Sequence, residues 1–168
     1  WGSSGTTVIN GLTAINARNT LSASGSVTFR DGICGSDSLT FNITGAGTLH
    51  IDGADPILGG SNLRIYTNKA INIDNGITVP ADSMVKVYSS IVNLLVFQNK
   101  GSNNFTVNGT ADLTTVTISN TGGAVIINGV LKTAHAGGLE ATATSGGGTV
   151  STIGSTTYVN ENSTVEFN

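Results

Sequence analysis

Two histidines and a scatter of carboxylates are the side chains of this sequence best suited to acid–base or metal chemistry, and their spacing sets what they can do. His50 and Asp52 stand two apart in an alternating run, so on a strand they share one outward face, with Asp55 close behind. Such a pair would serve a hydrolase or a sparse metal site. Asp52 and Asp74 hold the same place in two successive copies of a repeat, which would stack their carboxylates about 5 Å apart. A structural Ca²⁺ ion or a retaining glycosidase uses carboxylates at that separation. The following copies place Gln98 and Ser119 there, so the acidic patch is only two deep and reads as solvated carboxylates, with calcium as the weaker reading. His135 has no acidic neighbour in sequence. The chain carries no Gly-x-Ser-x-Gly elbow, zinc spacing, EF-hand loop or Gly-rich phosphate loop. These residues point to a protein that is not an enzyme and takes no cofactor.

Recognition chemistry is better represented. Tyr66 and Tyr88 recur at the same place in the repeat, two residues after Arg64 and Lys86. Sugars pack on aromatic faces and hydrogen-bond to charged neighbours, so this set is a candidate ligand face. Sequons occur at Asn42, Asn104, Asn108 and Asn162 and mark candidate glycosylation sites. Cys34 is the only cysteine, which rules out an intramolecular disulfide and reads as a small buried hydrophobe.

The elements that must position these residues are strands. Short alternating runs are separated by Gly, Asn and Asp, and no window sustains a helical period. One tetrad recurs as Leu39-Thr-Phe-Asn42, Leu63-Arg-Ile-Tyr66, Val85-Lys-Val-Tyr88, Phe105-Thr-Val-Asn108 and Val125-Ile-Ile-Asn128, in steps of 24, 22, 20 and 20 residues. A second trails it by 8 to 11 residues, as Leu49-His-Ile-Asp52, Ile71-Asn-Ile-Asp74, Leu95-Val-Phe-Gln98 and Val116-Thr-Ile-Ser119. Repeats of this length predict an all-β parallel β-helix, or solenoid, with rungs of about 20–24 residues. The first and third residues of each tetrad point inward, and the fourth positions build an outer ladder of Asn42, Tyr66, Tyr88, Asn108 and Asn128. An antiparallel two-sheet sandwich of the pilin kind is the alternative, since strands every 8 to 12 residues mark that fold too. Residues 1–24 form an N-terminal segment, a cap or a donated strand, and residues 25–168 a single all-β body.

Composition bounds the function. Only 10% of the 168 residues are charged, against 38% hydrophobic, and the remainder is rich in Gly, Ser, Thr and Asn. The scattered basic residues make no patch that could displace counterions from phosphates, which excludes a nucleic-acid partner. The long uncharged windows are broken by Gly, Asn and Thr, which excludes a membrane-spanning helix. A polar, charge-poor surface suits an extracellular or cell-surface protein. An opening Trp1 without an initiator Met leads us to expect a chain processed after export.

Tetrads such as Ala124-Val-Ile-Ile-Asn-Gly129 resemble those of right-handed β-helix proteins: filamentous-haemagglutinin-like adhesins, autotransporter passengers and phage tail-spike shafts. The likeness spans residues 25–130 and implies a secreted rod for adhesion or assembly. The alternating stretch Thr7–Ile15 also resembles the N-terminal strand of donor-strand filament subunits. These resemblances imply a self-assembling filament or surface rod joined by β-strand addition, with Val8, Leu12, Ile15, Val165 and Phe167 as candidate assembly residues. The alternative function is a carbohydrate-binding or carbohydrate-active β-helix module.

Overall fold

Alternation with a period of two puts every second side chain on one side of a strand, and here that side is closed around a core. The computed structural model describes residues 2–89, 95–99, 104–120, 123–135, 138–141, 150–152 and 157–168. Most of the Gly-rich stretch before Val150 lies outside them. The described strands pair in parallel throughout. Each strand lies against its equivalent one turn further along the chain. That is a β-solenoid, and it excludes the antiparallel sandwich.

A turn takes three strands, giving the coil three faces. The first face carries Thr7–Ile9, the first halves of Val27–Gly35 and Leu49–Gly59, then Ile71–Ile73, Leu95–Asn99, Thr117–Asn120 and Val150–Thr152. The second carries Thr13–Ile15, the second halves of those two long strands, then Ile77–Val79, Phe105–Val107, Val125–Ile127 and Thr157–Val159. The third is an eight-stranded sheet of Gly2–Ser3, Asn19–Ala23, Ser38–Ile43, Leu63–Thr67, Met84–Ser89, Thr110–Asp112, Val130–Thr133 and Thr164–Phe167, hydrogen-bonded in that order. The expected N-terminal segment is thus the first turn, paired with the second turn of its own chain. Turn length varies: Phe105 lies opposite Val125, but Leu39 lies opposite Ile65 and Ile77 opposite Phe105, so some turns exceed the expected length.

Inward side chains from the three faces fill one apolar column. Phe29, Ile33, Phe41, Leu49, Ile51, Leu63, Ile65, Phe105 and Ile127 are all essentially inaccessible to solvent. Phe29 meets Phe41 edge-on, with ring centroids 5.7 Å apart. Each such side chain contributes about 1.5–3 kcal/mol by leaving water. Two inward threonines, Thr67 and Thr133, serve the corners. Thr67 Oγ1 donates to Lys69 O at 2.7 Å and accepts from Lys69 N–H at 3.1 Å, while Thr133 Oγ1 accepts from His135 N–H at 3.0 Å. The corners bring backbones into near contact. A Cβ on Gly129 would sit 2.2 Å from the carbonyl oxygen of Gly109 one turn away, so only glycine fits the stacked Asn-Gly corner.

Candidate functional site

A coil stacks like positions on like, so each outward column on the third face is a ladder. The column Thr20, Thr40, Tyr66, Tyr88 runs in cross-turn register. Tyr66 and Tyr88 stack nearly parallel, with centroids 4.6 Å apart and an interplanar angle of 4°. One face of the Tyr66 ring is therefore covered by Tyr88. The other faces the turn that carries Thr40, whose short side chain cannot cover it, and Tyr66 keeps 38% of its surface exposed. The column thus steps from two threonines to two tyrosines, a floor meeting a wall. Along this column runs a hollow of about 450 Å³, lined by Thr20, Thr40, Asn42, Tyr66, Asn68, Tyr88 and Ser89 among others. A second hollow of about 290 Å³ adjoins it, lined by Arg18, Ser38, Thr40 and Tyr66.

The flanking columns hold this wall in place. Asn68 donates from Nδ2 to Ile43 O at 3.1 Å and accepts the Ile43 N–H at 3.0 Å, which fixes its side chain across the turn. On the other side Ser38, Arg64, Lys86, Asp112, Lys132 and Glu166 stand in register. Arg64 pairs with Asp37 at 3.1 Å, Lys86 with Asp112 at 2.8 Å and Lys132 with Glu166 at 2.7 Å. Like charges on Arg64 and Lys86 are adjacent, and each is drawn to a carboxylate on its far side. The Ser38 N–H donates to Asp37 Oδ1 at 2.7 Å. That bond, then the Ser38 hydroxyl and Arg64, holds the Asp37 carboxyl below its usual range against the pull of desolvation. The hydrogen bond to Asp112 raises the Lys86 ammonium above its ordinary value. Lys86 Nζ also lies 5.4 Å from the centre of the Tyr88 ring.

The expected single outer ladder is divided by the structure. Tyr66 and Tyr88 adjoin as expected, but Asn42 lies opposite Ser22 and is reached by Asn68, whose Nδ2 donates to its Oδ1 at 3.4 Å. Asn108 and Asn128 stand at the corner between the second and third faces, because Phe105–Val107 and Val125–Ile127 belong to the second face. There Asn128 Nδ2 donates to Asn108 Oδ1 at 2.7 Å, and Asn160 extends the ladder by donating to Asn128. Among the sequons, Asn42 is exposed beside the Tyr66 hollow, Asn104 Oδ1 accepts the Ala124 N–H at 2.8 Å, and Asn162 is exposed in the turn before Thr164–Phe167.

The carboxylates and histidines are engaged with neighbours rather than with one another as a cluster. Asp52 accepts from Asn75 Nδ2 at 2.7 Å, and Asp74 takes His50 Nδ1 at 2.9 Å. His50 thus pairs across the turn with Asp74, not along its own strand with Asp52. Its Nε2 meets Thr48 Oγ1 at 3.1 Å, which lies 2.8 Å from Ser26 Oγ. This is an Asp–His–hydroxyl chain, but the amides of Thr7, Val27 and Gly47 around it already donate to carbonyls, so they offer nothing to an oxyanion. Asp55 is exposed at the rim of another hollow, and His135 is half-buried in its turn. Among the described residues no group of three or more His, Cys, Asp or Glu could hold a metal ion, and no helix is long and apolar enough to cross a membrane. Cys34 is free and half-buried. Of the candidate assembly residues, Ile15 is buried in the core, Val165 is half-buried, and Val8, Leu12 and Phe167 are exposed.

Thr20, Asn68, Asp37 and Asp112 were not singled out by sequence, and Thr40 and Arg18 were not assigned to the ligand face. Their signal is the cross-turn register, which alternation alone does not carry. No protein-family model matches this chain, and no curated protein and no solved structure is significantly similar to it.

Proposed function

We propose that the chain is an extracellular structural and adhesive rod that holds a glycan against the open face of Tyr66, binding it without turnover. The observation that carries this reading is the step from Thr20 and Thr40 to Tyr66 and Tyr88. An aromatic face backed by a second ring is rigid, and the mostly apolar hollow beside it, with Thr40 and the exposed Asn42 at its edge, suits a sugar stacked on the ring. The charge-poor surface and the stiffness of a solenoid fit a protein that displays such a site outside the cell.

The test is glycan-array binding with protein made in a host that does not N-glycosylate, so that Asn42 carries no sugar of its own. Tyr66→Ala removes the wall, and Thr40→Tyr continues the aromatic stack into the hollow and blocks it. Both variants should lose at least about tenfold in affinity, or about 1.4 kcal/mol. Binding that survives both, or no glycan binding by the parent chain, would overturn the reading.

A second reading, association of copies by β-strand addition, is supported by the first turn. It presents an apolar hollow of about 340 Å³ lined by Ile9, Thr13, Ile15, Leu21, Phe29 and Leu39. The Thr13 hydroxyl within it is buried without a partner.

A further inference from the structure

The cations around the Tyr66 wall are not equivalent, and the difference concerns what kind of sugar the wall holds. Arg64, Lys86 and Lys132 each meet a carboxylate on the third face, and Lys69 Nζ donates to the Gly45 carbonyl at 3.0 Å. Arg18 is exposed, immediately before the strand Asn19–Ala23, and among the described residues it meets no carboxylate. It lines the smaller hollow with Ser38, Thr40 and Tyr66, the last two of which also line the larger one. A ligand lying on Tyr66 and Thr40 therefore has Arg18 at one end and Asn42 and Asn68 at the other. The nearest acidic side chain on that flank, Asp37, is already held by the Ser38 N–H and by Arg64, so its charge does not cancel that of Arg18.

We infer that the site selects acidic glycans, with Arg18 as the residue that reads the carboxylate of a uronic-acid or similar sugar. The inference rests on the glycan reading above and names the ligand class of that site. A guanidinium presents parallel N–H donors that match a carboxylate in a bidentate pair, and at a half-open site that pair discriminates strongly between an acid and its neutral counterpart. Arg64 and Lys86 each already face a carboxylate, Asp37 and Asp112, which offsets their pull on a second one. Thr40 lines the smaller hollow with Arg18 and Tyr66, so its hydroxyl stands beside a hydroxyl of the same sugar.

The experiment compares acidic oligosaccharides with their carboxyl-reduced forms, which differ only at the charged group. Fragments of oligogalacturonate, hyaluronan and alginate, each beside its reduced form, are titrated calorimetrically into the full chain. The parent should bind at least one acidic form about tenfold or more tighter than its reduced partner. That ratio should shrink as ionic strength rises from about 0.05 to about 0.5 M. Arg18→Gln should bring the ratio to about one by weakening the acidic form, and Arg18→Lys should restore part of it. Equal affinity for both forms in the parent overturns the acidic preference and leaves the glycan reading standing. A preference that survives Arg18→Gln overturns the role of Arg18. Failure of every acidic and reduced form to bind overturns both.

Discussion

Replacing Gly32 by alanine tests the stacking of turns at the corner between the first and second faces. Gly32 has φ +101°, and a Cβ there would lie 1.9 Å from Ile57 O and 2.6 Å from Ile57 N, the residue it pairs with one turn on. Gly45 also has a left-handed φ, +58°, but a Cβ there meets nothing within 4 Å. The two substitutions share the backbone term, about 1–2 kcal/mol for an L-residue in this region. Only Gly32→Ala adds steric overlap. To restore contact the Ile57 backbone must retreat by more than an ångström, which breaks the register Gly32–Ile57, Ile33–Leu58, Cys34–Gly59. Losing two of those backbone hydrogen bonds costs about 1–3 kcal/mol more. Gly32→Ala should therefore destabilise the chain by about 2–5 kcal/mol and Gly45→Ala by about 1–2 kcal/mol. Followed by far-UV circular dichroism, the melting temperature should fall by roughly 10 °C in the first variant and roughly 3 °C in the second. Equal losses in the two would refute the close approach of turns at Asp31–Gly32 and with it the register on the second face.

Thr67→Val should cost about 1–2 kcal/mol in urea unfolding, because it takes the hydroxyl from the part-buried Lys69 N–H and C=O that it serves, while Thr67→Ser should cost under half as much. The lowered pKa of Asp37 means that its contribution to stability is present above the unfolded carboxyl value of about 3.9 and is lost as pH falls through the folded value. Acid titration of the melting temperature should show that decline in the parent and a flatter curve in Asp37→Asn; identical curves would dismiss the clip to Ser38 and Arg64. If copies associate through the first turn, sedimentation should show assemblies that vanish on deleting Thr6–Ala17 and persist in Val165→Lys with Phe167→Lys; the reverse pattern would move the joint to the last strand.

The sequence made strand content, parallel repetition and the inward residues legible, because a period of two sorts side chains into inside and outside without reference to any partner. It did not make register legible, and the reason is physical. A slip of one residue turns every side chain over and is forbidden by the core, but a slip of two leaves the inward set apolar and the outward set polar. The tetrad alignment placed Leu39 opposite Leu63, whereas Leu39 meets Ile65 and Thr40 meets Tyr66. Both alignments bury the same kinds of residue. The tetrads at Phe105 and Val125 were assigned to the face of Leu63 because they look alike, yet the residues that continue that face are Ala111 and Leu131. Ala111 is small and its strand short, so an apolar pattern passes over it. The second tetrad stayed on one face through Leu49 and Ile71, then met a register shift between Leu95 and Phe97.

The same two-residue ambiguity explains why the wall was half visible. Tyr66 over Tyr88 follows from any alignment that matches Leu63 with Val85, so that pair was readable. The floor was not, since with Asn42 set beside Tyr66 the column would have been amide below and ring above, with no hollow. Correct register replaces Asn42 by Thr40 directly under the ring and sends Asn42 to the rim, where it lines the hollow rather than filling it. It also sets Ser38, not a charged residue, below Arg64, so Arg64 takes its partner from the preceding residue, Asp37. A coil whose outward columns keep one residue type throughout presents a flat surface. This one exposes an aromatic face where two columns change type at the same turn, from threonine to tyrosine and from serine to arginine.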